Sequence, residues 1–258
     1  MDHSCFENLI IYDVGLNTGQ DTTYYLKKGF KVVAVEADPY LCEQAIATFR
    51  DEISDGRLRV LNVGVSDNVG SMNFYVNEHS REWSSFYSSI AGRAGHQLTE
   101  IQVPTDTLSN IINAHGVPYY LKIDIEGNDR VAVRSVLDND YPIPYISIEN
   151  GSVMLKDLAA KGYDRFKFIQ QNNVHKLQQC MPALEGRYVD HQFEFGASGK
   201  FGEETEGEWL SYKEVFSHVS EVWDVDTGRK NPDWDDSVGG WFDLHARHKD
   251  YLTLKSQL

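Results

Sequence analysis

Apolar residues in the first half of the chain come in short runs, too brief for helices, that end at glycine or at acids. LIIYDV (Leu9 to Val14) stops at Gly15, as expected of a strand buried on both faces. A turn containing Gly, Asn and Thr follows, the pattern to about Lys28 predicts a helix, and KVVAVEAD (Lys31 to Asp38) predicts a second strand. Pro39 suits the first turn of the next helix, reaching about Ile53, and RLRVLNVGV (Arg57 to Val65) predicts a third strand. GSMNFYV (Gly70 to Val76) predicts an extra strand, and the Ser/Gly-rich stretch from His79 to His96 has no periodicity and predicts a loop. A helix near Thr105 to His115, the strand YYLKIDI (Tyr119 to Ile125), a helix over Asn128 to Leu137 and the strand YISIE (Tyr145 to Glu149) complete the series. Strands alternating with helices imply an α/β fold: a Rossmann-like, mostly parallel central sheet with helices on both faces.

Beyond about Gln170 this rhythm weakens and the composition changes. From Glu185 to Asp243 there are fifteen Asp and Glu against five Lys and Arg, and four of the five Trp (Trp209, Trp223, Trp234, Trp241) lie in the same stretch. A disordered acidic tail is poor in aromatics, so this part is expected to fold. The expected organisation is a core over residues 1–170 and an acidic, Trp-rich C-terminal extension over 171–258 packed on it. His245 and His248 are expected on a solvated helix face.

The formal charge of −15 over 258 residues repels phosphate backbones and anionic membranes, so neither nucleic acid nor a membrane is an expected partner. Cys5, Cys42 and Cys180 are odd in number and widely spaced, which indicates neither a disulfide framework nor a zinc site and suits a cytoplasmic, reducing location. No leader pattern and no run of about 18 apolar residues is visible. Oligomeric state is not legible.

The most informative stretch is Asp13 to Thr22, DVGLNTGQDT, between the first strand and its helix. Gly15 allows a sharp turn at the strand end, and Gly19 opens the helix without a side chain. The second strand ends in Glu36, about 20 residues on, where an acid reaches a ribose diol in nucleotide-binding folds. A dinucleotide site wants G-x-G-x-x-G; here the second glycine is missing and Asn17 stands in its place. The turn also begins with Asp13, which would repel a phosphate but stabilise a sulfonium or an α-ammonium group. S-adenosylmethionine carries both.

Together the D-V-G-x-N-x-G turn, V-E-A-D-P (Val35 to Pro39), N-V-G-V-S-D (Asn62 to Asp67) and K-I-D-I-E-G (Lys122 to Gly127) resemble the FkbM family of S-adenosylmethionine-dependent methyltransferases, over about residues 8 to 150. The resemblance implies a class I methyltransferase fold that methylates oxygen on sugars or hydroxylated small molecules. Carried over, it implies that Asp13, Gly15, Asn17 and Gly19 hold the methionine end, that Glu36 takes the ribose hydroxyls, and that Asn62, Ser66 and Asp67 read the adenine edge.

Asp124 and Glu126 end the YYLKIDI strand, on the same side as Lys122. Carboxylates there suit a general base or a ligand for a divalent cation, although no motif calls for a metal. Glu149, at the end of the next strand, is a third catalytic candidate. The opposing reading is a Lys122 that only pairs with one acid and a Glu126 that caps the next helix. Arg81 to Ser89 (REWSSFYSS) suits a lid, and the Trp residues in EGEWL (Glu206 to Leu210) and GWFDLHAR (Gly240 to Arg247) suit stacking on a sugar or filling a core. Two other classes stay open: a NAD-binding oxidoreductase on the same crevice, and a binding module that keeps the fold without the chemistry.

Overall fold

The structure, a computed structural model, describes residues 6–232, 234 and 241–258. Cys5 and Gly240 lie outside the described residues. The chain runs β1 (Ile10–Val14), α1 (Gln20–Lys27), β2 (Lys31–Glu36), α2 (Pro39–Thr48), α3 (Arg50–Ser54), β3 (Leu58–Asn62), β4 (Gly64–Val65) and β5 (Gly70–Asn77). It continues through α4 (Ser88–Ala91), β6 (Leu98–Asp106), α5 (Leu108–His115), β7 (Tyr120–Ile123), α6 (Asp129–Leu137), β8 (Tyr145–Glu149) and α7 (Leu155–Ala160). Last come β9 (Tyr163–Gln170), α8 (Tyr212–Val222), β10 (Phe242–His248) and α9 (Tyr251–Gln257).

Seven strands form the central sheet in the order β3-β2-β1-β7-β8-β10-β9. Neighbours are parallel except around β10, which is antiparallel to both β8 and β9. The order reverses between β1 and β7, so the loops after these two strands diverge and leave a crevice at their carboxyl ends. This is the expected Rossmann-like methyltransferase architecture. A three-stranded side sheet, β4-β6-β5, stands beside that crevice.

Each face of the sheet has its own apolar layer. Tyr12, Val14, Ile123 and Ile148 pack against residues of α5, α6, α7 and α8, while Ile11, Val32 and Ala34 pack against α1, Ala45 and Phe49. The C-terminal segment completes both layers, with Val215 and Val219 of α8 on one face and Phe193 and Phe201 on the other. Leu26 and Phe30 close the α1 side.

Several elements depart from the expected pattern. The helix after β2 breaks at Phe49 (φ −103, ψ 34), whose ring packs against Gly19. The third strand stops at Asn62, and Gly64–Val65 leave to pair with β6 in the side sheet. β6, β9 and β10 were not foreseen. His245 sits on β10, 2% exposed, because β10 lies inside the sheet; the expected solvated helix face is corrected. Burial without a partner for Nε2 pushes its imidazole down to about 3. No helix among the described residues is long and apolar enough to cross a membrane.

Candidate active site

The carboxyl ends of β1, β2, β7 and β8 open into a cavity of about 690 Å³. Its floor is the turn between β1 and α1. Gly15, Asn17 and Gly19 all take left-handed backbone angles (φ 95, 51 and 83), which glycine adopts freely and asparagine tolerates. That accounts for the missing glycine at position 17. Gly15 and Leu16 donate their N–H groups to the carbonyl of Val35 (2.9 and 3.1 Å), which clamps the turn onto the end of β2. A Cβ on Gly15 would lie 1.8 Å from the carbonyl oxygen of Asp124, so glycine is required for the turn to pass the end of β7.

Glu36 ends β2 on the cavity wall. Its carboxylate accepts the N–H of Asn17 on Oε2 (2.9 Å) and that of Asp38 on Oε1 (2.9 Å). The two bonds fix the group in one orientation and tie it to the turn. Burial pushes its pKa up to about 7 against those two hydrogen bonds.

Asp13 does not reach the cavity. It is fully buried, accepting from Thr22 Oγ1 (2.6 Å) and from Lys122 Nζ (3.1 Å). Lys122, itself on the cavity wall, also donates to the carbonyl of Gly15 (3.0 Å) and lies 3.7 Å from Asp21 and 3.8 Å from Asp124. One ammonium thus holds the turn, α1 and the end of β7 together, and the surrounding acids keep it charged against burial. Asp21 carries two signatures of the same crowding: a pKa pushed up to about 6 by burial and a carboxylate braced by the N–H of Ser198. Gly19 faces the ring of Phe49 rather than the cavity.

Asn62, Ser66 and Asp67 are not brought to the wall. Asn62 donates to the carbonyls of Glu36 and Ala37 (3.0 and 3.1 Å), joining β3 to β2. Ser66 is buried and accepts from the N–H of Asn68 (3.2 Å), while Asp67 is exposed. The same stretch lines the cavity through Val63, Gly64 and Val65 instead, with Phe86 against Gly64.

Asp124, Glu126 and Glu149 meet on one wall. β7 ends at Ile123, so Glu126 (φ 50) belongs to the following turn. It pairs with Arg93 (2.8 Å), and the N–H groups of Ile125 and Gly127 are taken by Asp129 (3.0 Å each), so Asp129 braces the start of α6. Burial pushes Glu126 up to about 7 and Asp129 up to about 6. Glu149 is pushed well above the usual carboxylate range by burial and by the neighbouring acids Asp124, Glu126, Asp129 and Asp243. No group of three or more side chains suited to hold a metal ion occurs among the described residues.

Arg81, Trp83, Ser84 and Phe86 roof the cavity. Arg81 pairs with Asp38 and lies over the Tyr40 ring (4.4 Å), Arg93 lies over Trp83 (4.5 Å), and Ser85 Oγ donates to the carbonyl of Glu126 (2.6 Å). Trp241, Trp223 and Phe195 close the far end, whereas Trp209 packs on Tyr145 away from it. Arg93 and Phe195 are wall residues outside the motifs, and Asp21 and Lys122 lie within the motifs without an expected binding role. Only the turn bonding of Lys122, invisible in one dimension, would have indicated it.

No curated protein matches the chain. Among solved structures it is similar to the methyltransferase FkbM from Methylobacillus flagellatus KT, at 17% identity and a TM-score of 0.35 over 56% of this chain and 33% of that one, so it spans about a third of that protein's length. The model of the methyltransferase FkbM domain matches residues 13–171, which include the turn, Glu36 and the acidic wall. The chain belongs to the FkbM methyltransferase domain family.

Proposed function

We propose that the protein transfers a methyl group from S-adenosylmethionine to a hydroxyl of a sugar or other hydroxylated small molecule. The observation that carries this reading is Glu36. Its carboxylate is oriented by two backbone N–H groups at the mouth of a glycine turn, and its remaining lone pairs are turned to the cavity, where a ribose diol is a fitting donor pair. The lining suits the same molecule in a second respect: Asp21, on the cavity wall in the first turn of α1, suits its cationic groups. The apolar wall of Val63, Val65 and Phe86 suits an adenine ring.

S-adenosylmethionine supplies, when bound, an electrophilic methyl on a sulfonium. The protein's own contribution is to orient the acceptor and receive its proton. Asp124, 30% exposed at the end of β7, takes the proton that the hydroxyl loses, since a neutral alcohol is a weak nucleophile. Lys122 holds Asp124 from behind, and the roof of Trp83 and Phe86 keeps water out.

Calorimetric titration of the purified protein with S-adenosylhomocysteine and with NAD tests the reading. Micromolar affinity for the former and none comparable for NAD is expected. Tighter binding of NAD would move the protein to the oxidoreductase class, and binding of neither would leave the fold without the chemistry.

A further inference from the structure

At the far end of the cavity, acidic side chains outnumber the cations among the described residues. Lys122 is shared among Asp13, Asp21 and Asp124, and Arg93 is taken by Glu126. Glu149 stands half-buried on the cavity wall, and no hydrogen bond or ion pair among the described residues reaches its carboxylate. Asp243 stands directly beside it in the β8–β10 register, is 3% exposed, and keeps Oδ1 buried without a partner among the described residues. A buried carboxylate oxygen without a partner, as at Asp243, is costly, and it is tolerated where a cation nearby offsets the charge. Lys230 is the further cation on this wall, placed over the Trp223 ring at 6.0 Å.

The rest of that end is aromatic. Trp223, Trp241 and Phe195 line it, and Phe195 meets Trp241 edge to face at 5.2 Å. Aromatic faces beside a carboxylate recognise organic cations, because ring quadrupole and anion attract the same charge. A neutral sugar can stack on the rings and donate a hydroxyl to Glu149, but it brings no positive charge to offset the acids of this wall. S-adenosylmethionine, whose carboxylate offsets one of its two cationic groups, does not neutralise Asp21, Asp124, Glu149 and Asp243 together.

We propose that the methyl acceptor is itself a cation, a hydroxylated organic ammonium compound whose charged nitrogen sits against Glu149 among Phe195, Trp223 and Trp241. This rests on the reading of the cavity as a methyl-transfer site.

Ligand-observed NMR on the full chain, with and without saturating S-adenosylhomocysteine, compares two near-isosteric pairs: choline with 3,3-dimethyl-1-butanol, and glucosamine with glucose. In at least one pair the cationic member is expected to bind about tenfold or more tightly than the neutral one. Glu149→Gln abolishes that preference and Glu149→Asp, which keeps the charge, retains it. No preference in either pair, or a preference that survives Glu149→Gln, overturns the proposal. If Glu149→Gln does not fold, the wild-type comparison decides. Failure of S-adenosylhomocysteine to bind removes the cofactor reading while the charge preference is still measured. Loss of the preference with S-adenosylhomocysteine bound removes the acceptor proposal alone.

Discussion

Glu36 and Asp124 divide the chemistry of the cavity, and single substitutions separate them. Glu36→Ala removes charge-assisted hydrogen bonds to a ribose and the anchor of the Asn17 N–H, so S-adenosylhomocysteine should bind more weakly by roughly 1–3 kcal/mol. Unchanged affinity in calorimetry would show that the ribose lies elsewhere. Asp124→Asn keeps the shape and loses the base. Turnover on an identified acceptor should fall by about 10² to 10⁴ while cofactor affinity holds. Near-full turnover would make Asp124 a partner of Lys122 and nothing more. For Asp13 the motif gives the position in the turn but not the bonding of the carboxylate, which accepts from Thr22 and Lys122. The acid of this stretch that lines the cavity is Asp21, eight residues along in the first turn of α1.

At the level of elements, the roof over the cavity is anchored at its middle and open at its start. Ser85 exchanges two backbone bonds with Tyr75 and donates its hydroxyl to Glu126, and Tyr87 donates to Asn128, whereas the single short helical turn over Arg81–Trp83 is tied through Arg81–Asp38. Such a segment opens at low cost, and a bound ligand adds contacts to Trp83 and Phe86. Amide hydrogens of residues 81–89 should therefore exchange more slowly when S-adenosylhomocysteine is bound, and equal protection in both states would reduce the roof to a fixed wall. The β1-to-β2 unit and β7 to β8 were legible because their apolar runs are buried on both faces. β6 was not: it includes Pro104 and several exposed positions, and only Val103 and Thr105 are buried. β10 was hidden for the opposite reason, since Asp243 and His245 interrupt its apolar pattern and are buried all the same. Its place between β8 and β9 depends on a pairing across more than seventy residues, which local periodicity does not register.

Over the whole molecule the buried acids make stability depend on pH in an uncommon direction. Glu36 and Glu126 are pushed up to about 7, and Asp21 and Asp129 up to about 6, in each case chiefly by burial. A carboxyl whose folded pKa lies above its unfolded value holds its proton more tightly when folded. Its contribution is therefore present below the unfolded pKa, near 4.5 for Glu and 3.8 for Asp, and is lost as pH rises through the folded value. Exposed acids with depressed values, such as Glu214 and Asp224, which accept hydrogen bonds from Ser211 and Thr227, work the other way, but only below their own unfolded values. The two groups act in separate windows, while the buried His245, held neutral down to about 3, opposes the raised carboxyls by costing stability as pH falls below its ordinary value of 6.5, one imidazole against four carboxyls. The melting temperature of the ligand-free protein should accordingly peak in mildly acidic buffer, near pH 5, and fall towards pH 7.5. The formal charge of −15 pushes in the same direction, but its exposed part is screened by salt, whereas the buried carboxylates are not. Scanning fluorimetry at low and high ionic strength separates the two: a fall that persists in high salt and flattens in Glu36→Gln and Glu126→Gln belongs to the cavity. A melting temperature that climbs steadily to pH 7.5 would mean that these carboxyls ionise in the folded protein as readily as in the unfolded one, and that the cavity wall is far wetter than its burial indicates.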